Sequence, residues 1–288
     1  MSPEPERASE TGSAWITIRH ALEGDLPPWL ERFLSTVGRA IHRHQMIPEG
    51  EAVLVGVSGG KDSLACAVAL ALRRRRLRSP YRLHAALVDW SDAPCRGEEI
   101  AALAELFALL SVPFSVIPGR HRSVAGRWEP ETVALSMTGE SAQASAGYGC
   151  YSCARERKRL IFQEARRLGC SRVAFGHHLD DFVGTALMNL CFRGRLEPME
   201  PLRSFFGGEI SLIRPLCELP ESKIRTLAER LELPVVPSRC PQAGRNLRDR
   251  LKPLVADLAK MDKLVREKVY RAWFGDPRRE EAGWTSET

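Results

Sequence analysis

Ala52-Val53-Leu54-Val55-Gly56-Val57-Ser58-Gly59-Gly60-Lys61-Asp62-Ser63 is the stretch on which the fold turns. Its first six residues form an unbroken apolar run of strand length, the pattern of a strand covered on both faces. Leu64 to Leu77 follows with a helical period and ends in arginines. Strand, glycine loop and helix in that order make the opening unit of an α/β protein. Two glycines and small hydroxyls at the junction let backbone N–H groups and a helix N-terminus surround a phosphate, because glycine has no Cβ to hold the ligand off. The Walker A pattern, laid on Gly60-Lys61, requires glycine at position 55 and Ser or Thr at 62. Val55 and Asp62 stand there, which excludes the loop of the enzymes that cleave ATP or GTP between the β and γ phosphates. A plain structural turn does not account for Lys61, Asp62 and Ser63 together.

The same alternation continues outward. Leu83 to Val88 reads as a strand, Glu98 to Leu110 as a helix and Pro113 to Ile117 as a third strand, so the expected fold class is α/β, a parallel twisted sheet with helices on both faces. Residues 120–149, rich in Ser, Gly, Ala and Thr, suggest a loop or lid. Ala154 to Leu168 is helical and basic, Arg172 to Phe175 a short strand, Asp180 to Leu190 helical, and Gly194 to Gly208 an irregular excursion. Leu212 to Pro215, Glu221 to Leu231 and Pro234 to Pro237 read as strand, helix and short strand. Helical additions flank this core. Apolar positions at Trp29, Leu30, Phe33, Leu34, Val37, Ile41 and Met46 predict an amphipathic helix within 28–50, whose face offers a surface for a homodimer. The core spans 51–240, and 241–288 forms a basic helical tail. Residues 1–27, polar and proline-bearing, read as a disordered tail.

At 288 residues, with 44% hydrophobic and 27% charged side chains, the chain is an ordinary globular protein and neither disordered nor fibrous. No stretch approaches the roughly 20 apolar residues of a membrane span, and no cationic, apolar leader is present, so a cytoplasmic protein without a membrane partner is expected. The net charge of +6 is concentrated in Arg73-Arg74-Arg75-Arg76 with Arg78 and between Arg245 and Arg279. Such runs serve either a polyanion or a solvated helix face. Eight cysteines in a cytoplasmic chain point to buried thiols, metal ligands or redox chemistry rather than disulfides.

Ser58-Gly59-Gly60-Lys61-Asp62-Ser63 resembles the PP-loop of the ATP pyrophosphatases, which cleave ATP between its α and β phosphates. The resemblance implies a PP-loop/HUP-like, Rossmann-like fold with ATP and Mg2+ as cofactors. It also implies that the loop holds the departing pyrophosphate, with Lys61 and the Ser58 and Ser63 hydroxyls on phosphate, Asp62 near magnesium and Asp89 near the adenosine.

Cys150 and Cys153 form a C-x-x-C pair at the start of a helix, where the dipole favours thiolate. Alone, the pair suits a dithiol redox site or half a zinc site. Downstream stand Gly176-His177-His178-Leu179-Asp180-Asp181, Ile213-Arg214-Pro215-Leu216 and Cys240. With the loop, this set resembles the iron–sulfur tRNA thiolases of the PP-loop family, the tRNA 2-thiocytidine synthetases. The resemblance implies a [4Fe-4S] cluster on Cys150, Cys153 and Cys240 with one iron open, magnesium or catalytic roles for Asp180 or Asp181, Arg157 near phosphate, and Gly176 and His177 at the nucleotide. His177 and His178, being adjacent, are as well suited to structural packing. Members of that family usually carry a second cysteine just before the third ligand, where this chain reads Pro237-Ser238-Arg239-Cys240-Pro241. Cys66, Cys170, Cys191 and Cys217 read as packing residues, while Cys95 falls in a loop.

The implied activity is an ATP-dependent tRNA sulfurtransferase. The C2 oxygen of an anticodon-loop cytidine is adenylated and then replaced by sulfur from a donor such as a cysteine desulfurase or sulfide. Thiolation of another tRNA base or of a small molecule keeps the same fold, and a non-catalytic ATP-binding iron–sulfur sensor is the rival from another class.

Overall fold

The apolar run Ala52–Val57 forms strand β1, buried along its whole length. In a computed structural model, which describes residues 15–120, 150–240 and 247–275, β1 lies inside a six-stranded sheet. β2 (Arg82–Trp90) and β3 (Phe114–Gly119) stack in parallel on one side of it, and β4 (Arg172–Ala174) and β6 (Ile210–Ile213) in parallel on the other. β5 (Leu202–Phe205) closes the edge, antiparallel to β6. The order β3-β2-β1-β4-β6-β5 reverses direction of growth at β1. In an open parallel sheet the crevice at the carboxyl ends of the strands flanking such a reversal is where ligands bind.

Helix α3 (Lys61–Arg74) is buried from Ser63 through Leu72 because it is covered by the sheet, by α2 (Pro28–Arg43) and by α7 (Glu221–Arg230). The apolar face of α2, led in by Pro28 at its first position, is taken up within the chain: Leu30, Phe33, Leu34, Val37 and Ile41 join the main core. It is therefore not offered to a second copy. α4 (Gly97–Leu109) packs on β3 from the main-core side, and α5 (Cys150–Arg167) covers the opposite face through Ile161, Phe162 and Ala165. α6 (Leu179–Arg193) is buttressed by α8 (Leu247–Met261) and α9 (Val265–Phe274). No helix among the described residues is long and apolar enough to cross a membrane.

Four expectations are corrected. Residues within the supposed disordered tail form helix α1 (Ile16–Glu23), whose Ile18 and Ala21 are buried in the main core while Trp15 donates to the Glu232 carbonyl. The excursion at 194–208 contains β5, a four-residue edge strand turning back through Phe206 and two left-handed glycines. Pro234 to Pro237 is not a strand. Cys191 is exposed rather than packed, although Cys66, Cys170 and Cys217 are buried. The segment 121–149, read as a loop or lid, lies outside the described residues.

The arginine run is largely committed to the fold. Arg74 donates to the carbonyls of Leu110 and Ser111 at 3.0 and 2.6 Å, satisfying the open end of α4. Arg73 lies against α2 at Gly38, and Arg76 pairs with Glu31. A buried knot holds α9 to α2: the Tyr270 hydroxyl meets His44 Nε2 at 2.8 Å and Cys217 Sγ at 3.3 Å. Burial, with Arg43 adding to it, pushes the His44 imidazole down to about 4. The folded state therefore keeps His44 neutral while the unfolded chain protonates it near 6.5, so stability falls as pH drops from 6.5 toward 4. The ceiling on that loss is about 3 kcal/mol at roughly 1.36 kcal/mol per pK unit. His44→Gln, which hydrogen-bonds without titrating, is expected to flatten the melting temperature across that window in thermal denaturation.

Candidate active site

β1 ends at the glycine loop, and the loop is held by its own hydroxyls. Ser63 Oγ donates to the Gly60 carbonyl at 2.9 Å and accepts from the Ser58 N–H at 3.1 Å, while Ser58 Oγ lies 3.2 Å from Ser63 Oγ and accepts from the Gly60 N–H at 3.3 Å. Gly60, at the N-cap of α3, has no side chain to accept from the helix's first-turn N–H groups. The first-turn N–H groups of α3 have no intrahelical acceptors and carry the positive end of the helix dipole, the arrangement that suits an anion.

Two glycines set the loop's surroundings. Gly59 takes a φ of +77°, and a Cβ there would stand 2.8 Å from Cβ of Val236. The Val236 N–H in turn donates to the Gly59 carbonyl at 2.9 Å, which fastens the 234–240 segment to the loop. That bond replaces the expected strand pairing at Pro234 to Pro237, whose two prolines cannot donate to a ladder. Gly176 follows β4, and a Cβ on it would meet the Asp62 carbonyl at 2.4 Å. The Gly176 backbone therefore abuts the first turn of α3.

Around the loop, charges alternate. Lys61 Nζ lies 2.9 Å from Asp62 Oδ1 and 2.8 Å from Glu221 Oε1. Burial draws the Lys61 ammonium down, but the hydrogen bonds it donates to Glu221 and Asp62 outweigh that and leave the group raised. Burial likewise opposes the Glu221 carboxylate, and Lys61 overcomes that to hold it below the usual carboxylate range. The Glu221 N–H donates to Asp180 Oδ2 at 2.8 Å, and Asp180 Oδ1 receives Arg266 Nε of α9 at 2.5 Å. Asp181 accepts from the His178 N–H at 3.0 Å in a capping box that starts α6. The buried His178 ring stands 3.5 Å from Asp181, 3.8 Å from Asp180 and 3.9 Å from Asp62.

The structure thus gathers Ser58, Gly59, Gly60, Lys61, Asp62, Ser63, Gly176, Asp180 and Asp181 at one place. Glu221 and His178 belong with them and were missed or undervalued in the sequence. Glu221 sits at the start of a helix where an acidic residue is ordinary, so nothing local distinguishes it. His177 diverges from its neighbour and meets the Phe175 ring edge-on at 5.9 Å. Asp89 stands at the end of β2 beside β1 and accepts from the Cys95 N–H at 2.8 Å. Arg157 lies over the ring of Trp90, the residue after Asp89 at the end of β2, 5.8 Å from its centre.

The thiols sort by environment. Burial pushes Cys66 and Cys217 up to about 12 and Cys170 up to about 11, which keeps them protonated at neutral pH. Burial, with Asp89 and Glu99, raises Cys95. Cys153 is half-buried in the first turn of α5, and Cys240 is exposed beyond Arg239, whose guanidinium grips Glu99 at 2.8 and 2.5 Å. Cys150 opens α5, and its thiol lies outside what is described. Among the described residues no three His, Cys, Asp or Glu side chains form a metal-binding group.

The PP-loop domain matches residues 33–255, from α2 into α8. The chain belongs to the PP-loop family. A curated relative from Geobacter sulfurreducens, named tRNA-cytidine(32) 2-sulfurtransferase, is 33% identical over 244 residues, covering 84% of this chain and 88% of its own. One of the same name from Syntrophotalea carbinolica is 34% identical over 224 residues, covering 77% and 80%. The solved U34-tRNA thiolase NcsA from Methanococcus maripaludis, with its [4Fe-4S] cluster, shares the fold at a TM-score of 0.64 and 21% identity, over 90% of this chain and 82% of its own.

The close approach of Gly176 to the PP-loop yields a direct test. Gly176→Ala must push the first turn of α3 away from β4, an overpacking strain of about 1–3 kcal/mol. The expected outcome is a lower melting temperature together with at least a tenfold loss of ATP affinity by calorimetry.

Proposed function

We propose that this PP-loop protein is an ATP-dependent tRNA sulfurtransferase that replaces the C2 oxygen of an anticodon-loop cytidine with sulfur. The carrying observation is the uncapped N-terminus of α3 with Lys61 held beside it by Asp62 and Glu221, in a chain about a third identical to cytidine 2-sulfurtransferases. An anion seated on that helix end competes with both carboxylates for Lys61, so the lysine turns from its internal partners to phosphate as ATP binds.

In the first step the C2 oxygen bonds to the α-phosphorus of ATP while the bond to pyrophosphate breaks. The leaving group rests on the α3 N–H groups, the Ser58 and Ser63 hydroxyls and Lys61, which meet its developing charge without reorganising. Asp62 would hold Mg2+, with Asp180 or Asp181 assisting; their hard carboxylate oxygens suit that ion. Asp89, at the end of β2, faces the adenosine, Gly176 and His177 line the nucleotide site, and Arg157 approaches phosphate. In the second step sulfur bonds to C2 and AMP departs with the original oxygen.

The donor chemistry of Cys150, Cys153 and Cys240 suits a [4Fe-4S] cluster, since thiolates are its ligands and the burial-protonated thiols are unsuited. Held by these three thiolates, the cluster would supply an iron site able to carry sulfur from a cysteine desulfurase or sulfide. The chain's own part is to hold Cys240 near the PP-loop through the Val236–Gly59 bond and the Arg239–Glu99 pair.

Three outcomes are expected. Transfer RNA from a deletion strain loses 2-thiocytidine in a mass-spectrometric nucleoside profile; a full complement of it overturns the assignment. Lys61→Ala or Asp62→Ala leaves the fold intact but lowers tRNA-dependent release of AMP and pyrophosphate by about 10²-fold or more; a sensor would release neither even as wild type. Protein purified without oxygen is brown and carries about four irons. Ala at Cys153 or Cys240 depletes them, whereas Ala at Cys66, Cys170 or Cys217 does not.

A further inference from the structure

The arginine run that the sequence offers to a polyanion is largely committed to the fold, while a second set of cations gathers on the other face of the sheet around two aromatic rings. Cross-strand pairs Arg203–Leu212 and Phe205–Ile210 place Arg203 and Phe205 on the sheet face that α5 covers. There Lys158 Nζ and the Arg203 guanidinium stand over the same Phe205 ring, 5.7 and 5.6 Å from its centre. Arg166 covers Phe206 at 4.3 Å. Arg214, 9% exposed, donates to the Glu200 carbonyl beneath them.

The acids on this face are Glu209, bound to Arg166 at 2.8 Å, and Glu200, 3.7 Å from Arg203. Lys158 has no carboxylate partner among the described residues; burial, then Arg214 and Arg203, depress it. A half-buried ammonium beside two guanidiniums is an unfavourable arrangement. An arriving phosphate oxygen relieves it.

The position suits the chemistry. Ile213 pairs with Ala174, and Ala174 with Val55, so Arg214 lies at the same end of the sheet as the PP-loop. Two strand spacings, roughly 10 Å, separate them. The Arg73–Arg78 run closes α3 on the opposite, main-core face of the sheet. From Arg214 the patch runs down β5, from Arg203 opposite Leu212 to Phe205 opposite Ile210 at the amino end of β6, beyond which Phe206 is 54% exposed. Cations beside an exposed aromatic ring suit unpaired RNA, whose bases stack on such rings while its phosphates take the charges. An acidic protein would use the cations and leave the ring unexplained.

We propose that the face between α5 and β5, through Lys158, Arg203 and Phe206, is where a single-stranded stretch of RNA lies while its target base reaches the PP-loop. The proposal rests on the RNA-substrate reading above and assigns its docking surface. The test is fluorescence anisotropy of labelled tRNA between about 50 and 200 mM salt, with wild type, Lys158→Ala, Arg203→Ala, their double variant, Lys158→Arg, Phe206→Ala and, as a comparison from the opposite face of the sheet, Arg78→Ala. Thermal melts establish that each is folded.

The expected result is that each cation removed lowers the slope of log affinity against log salt by about 0.7, with Lys158→Arg restoring it. Phe206→Ala weakens binding roughly fivefold or more without changing the slope, and Arg78→Ala matches wild type. Wild type that binds no tRNA would sink the RNA reading itself. Wild type that binds, with the Lys158, Arg203 and Phe206 variants unchanged, overturns the surface alone. Variants that keep tRNA but lose stimulation by a cysteine desulfurase overturn it too, since the face then receives a protein.

Discussion

The contact between Lys61 and Glu221, 2.8 Å long, joins the two halves of the molecule. Lys61 belongs to the loop after the first core strand, and Glu221 begins α7, after the last strand. From Glu221 the chain of charge continues through its own N–H to Asp180 on α6 and then to Arg266 on α9. His178 sits among Asp62, Asp180 and Asp181. Each charge here is partly withdrawn from water, so removing one member costs some stability beyond the lost contact, while the remaining partners keep the fold in place. The glycine loop is accordingly not a free flap but one end of a network that spans four helices.

The sequence makes legible what backbone chemistry imposes locally. An apolar run followed by Ser58-Gly59-Gly60-Lys61 can be read because burial on both faces and phosphate access each demand a residue type at a fixed spacing. β5 and α1 escape such reading because their stability is tertiary: four residues against β6, and two apolar side chains reaching the main core. Pro234 to Pro237 looks like a strand by composition, yet its one telling hydrogen bond runs from Val236 to Gly59, a contact no local pattern encodes. Glu221 escapes for the same reason. Its role depends on Lys61, 160 positions earlier, and on the depth at which the two meet.

Charge counted along a chain is a poor guide to charge presented by a surface. Arg73 to Arg76 form the densest basic run in the core, but the α3 C-terminus brings Arg74 against the α4 carbonyls and Arg76 against Glu31. Lys158, Arg203 and Arg214 are scattered over 57 positions and gather only because β5 folds back beside β6 under α5. The first set answers a structural need, since a helix end must satisfy its last carbonyls. The second set answers a looser one: Arg214 holds the Glu200 carbonyl and Arg203 reaches the Glu200 carboxylate, while Lys158 rests on the Phe205 ring.

The cysteines carry the same lesson into reactivity. Cys66, Cys170 and Cys217 are fixed by burial as protonated, apolar-packed groups, and Cys217 also receives the Tyr270 hydroxyl that ties α9 down. Cys95 is turned toward Asp89 and Glu99, whose negative charge opposes thiolate. A metal thiolate requires the opposite setting: a reachable sulfur, held in place by something other than the metal. Cys240 has both, being exposed while the residues before it are stapled to Gly59 and to Glu99. Arg239 performs that stapling with a fork-shaped guanidinium matched to a carboxylate, a geometry lysine cannot supply.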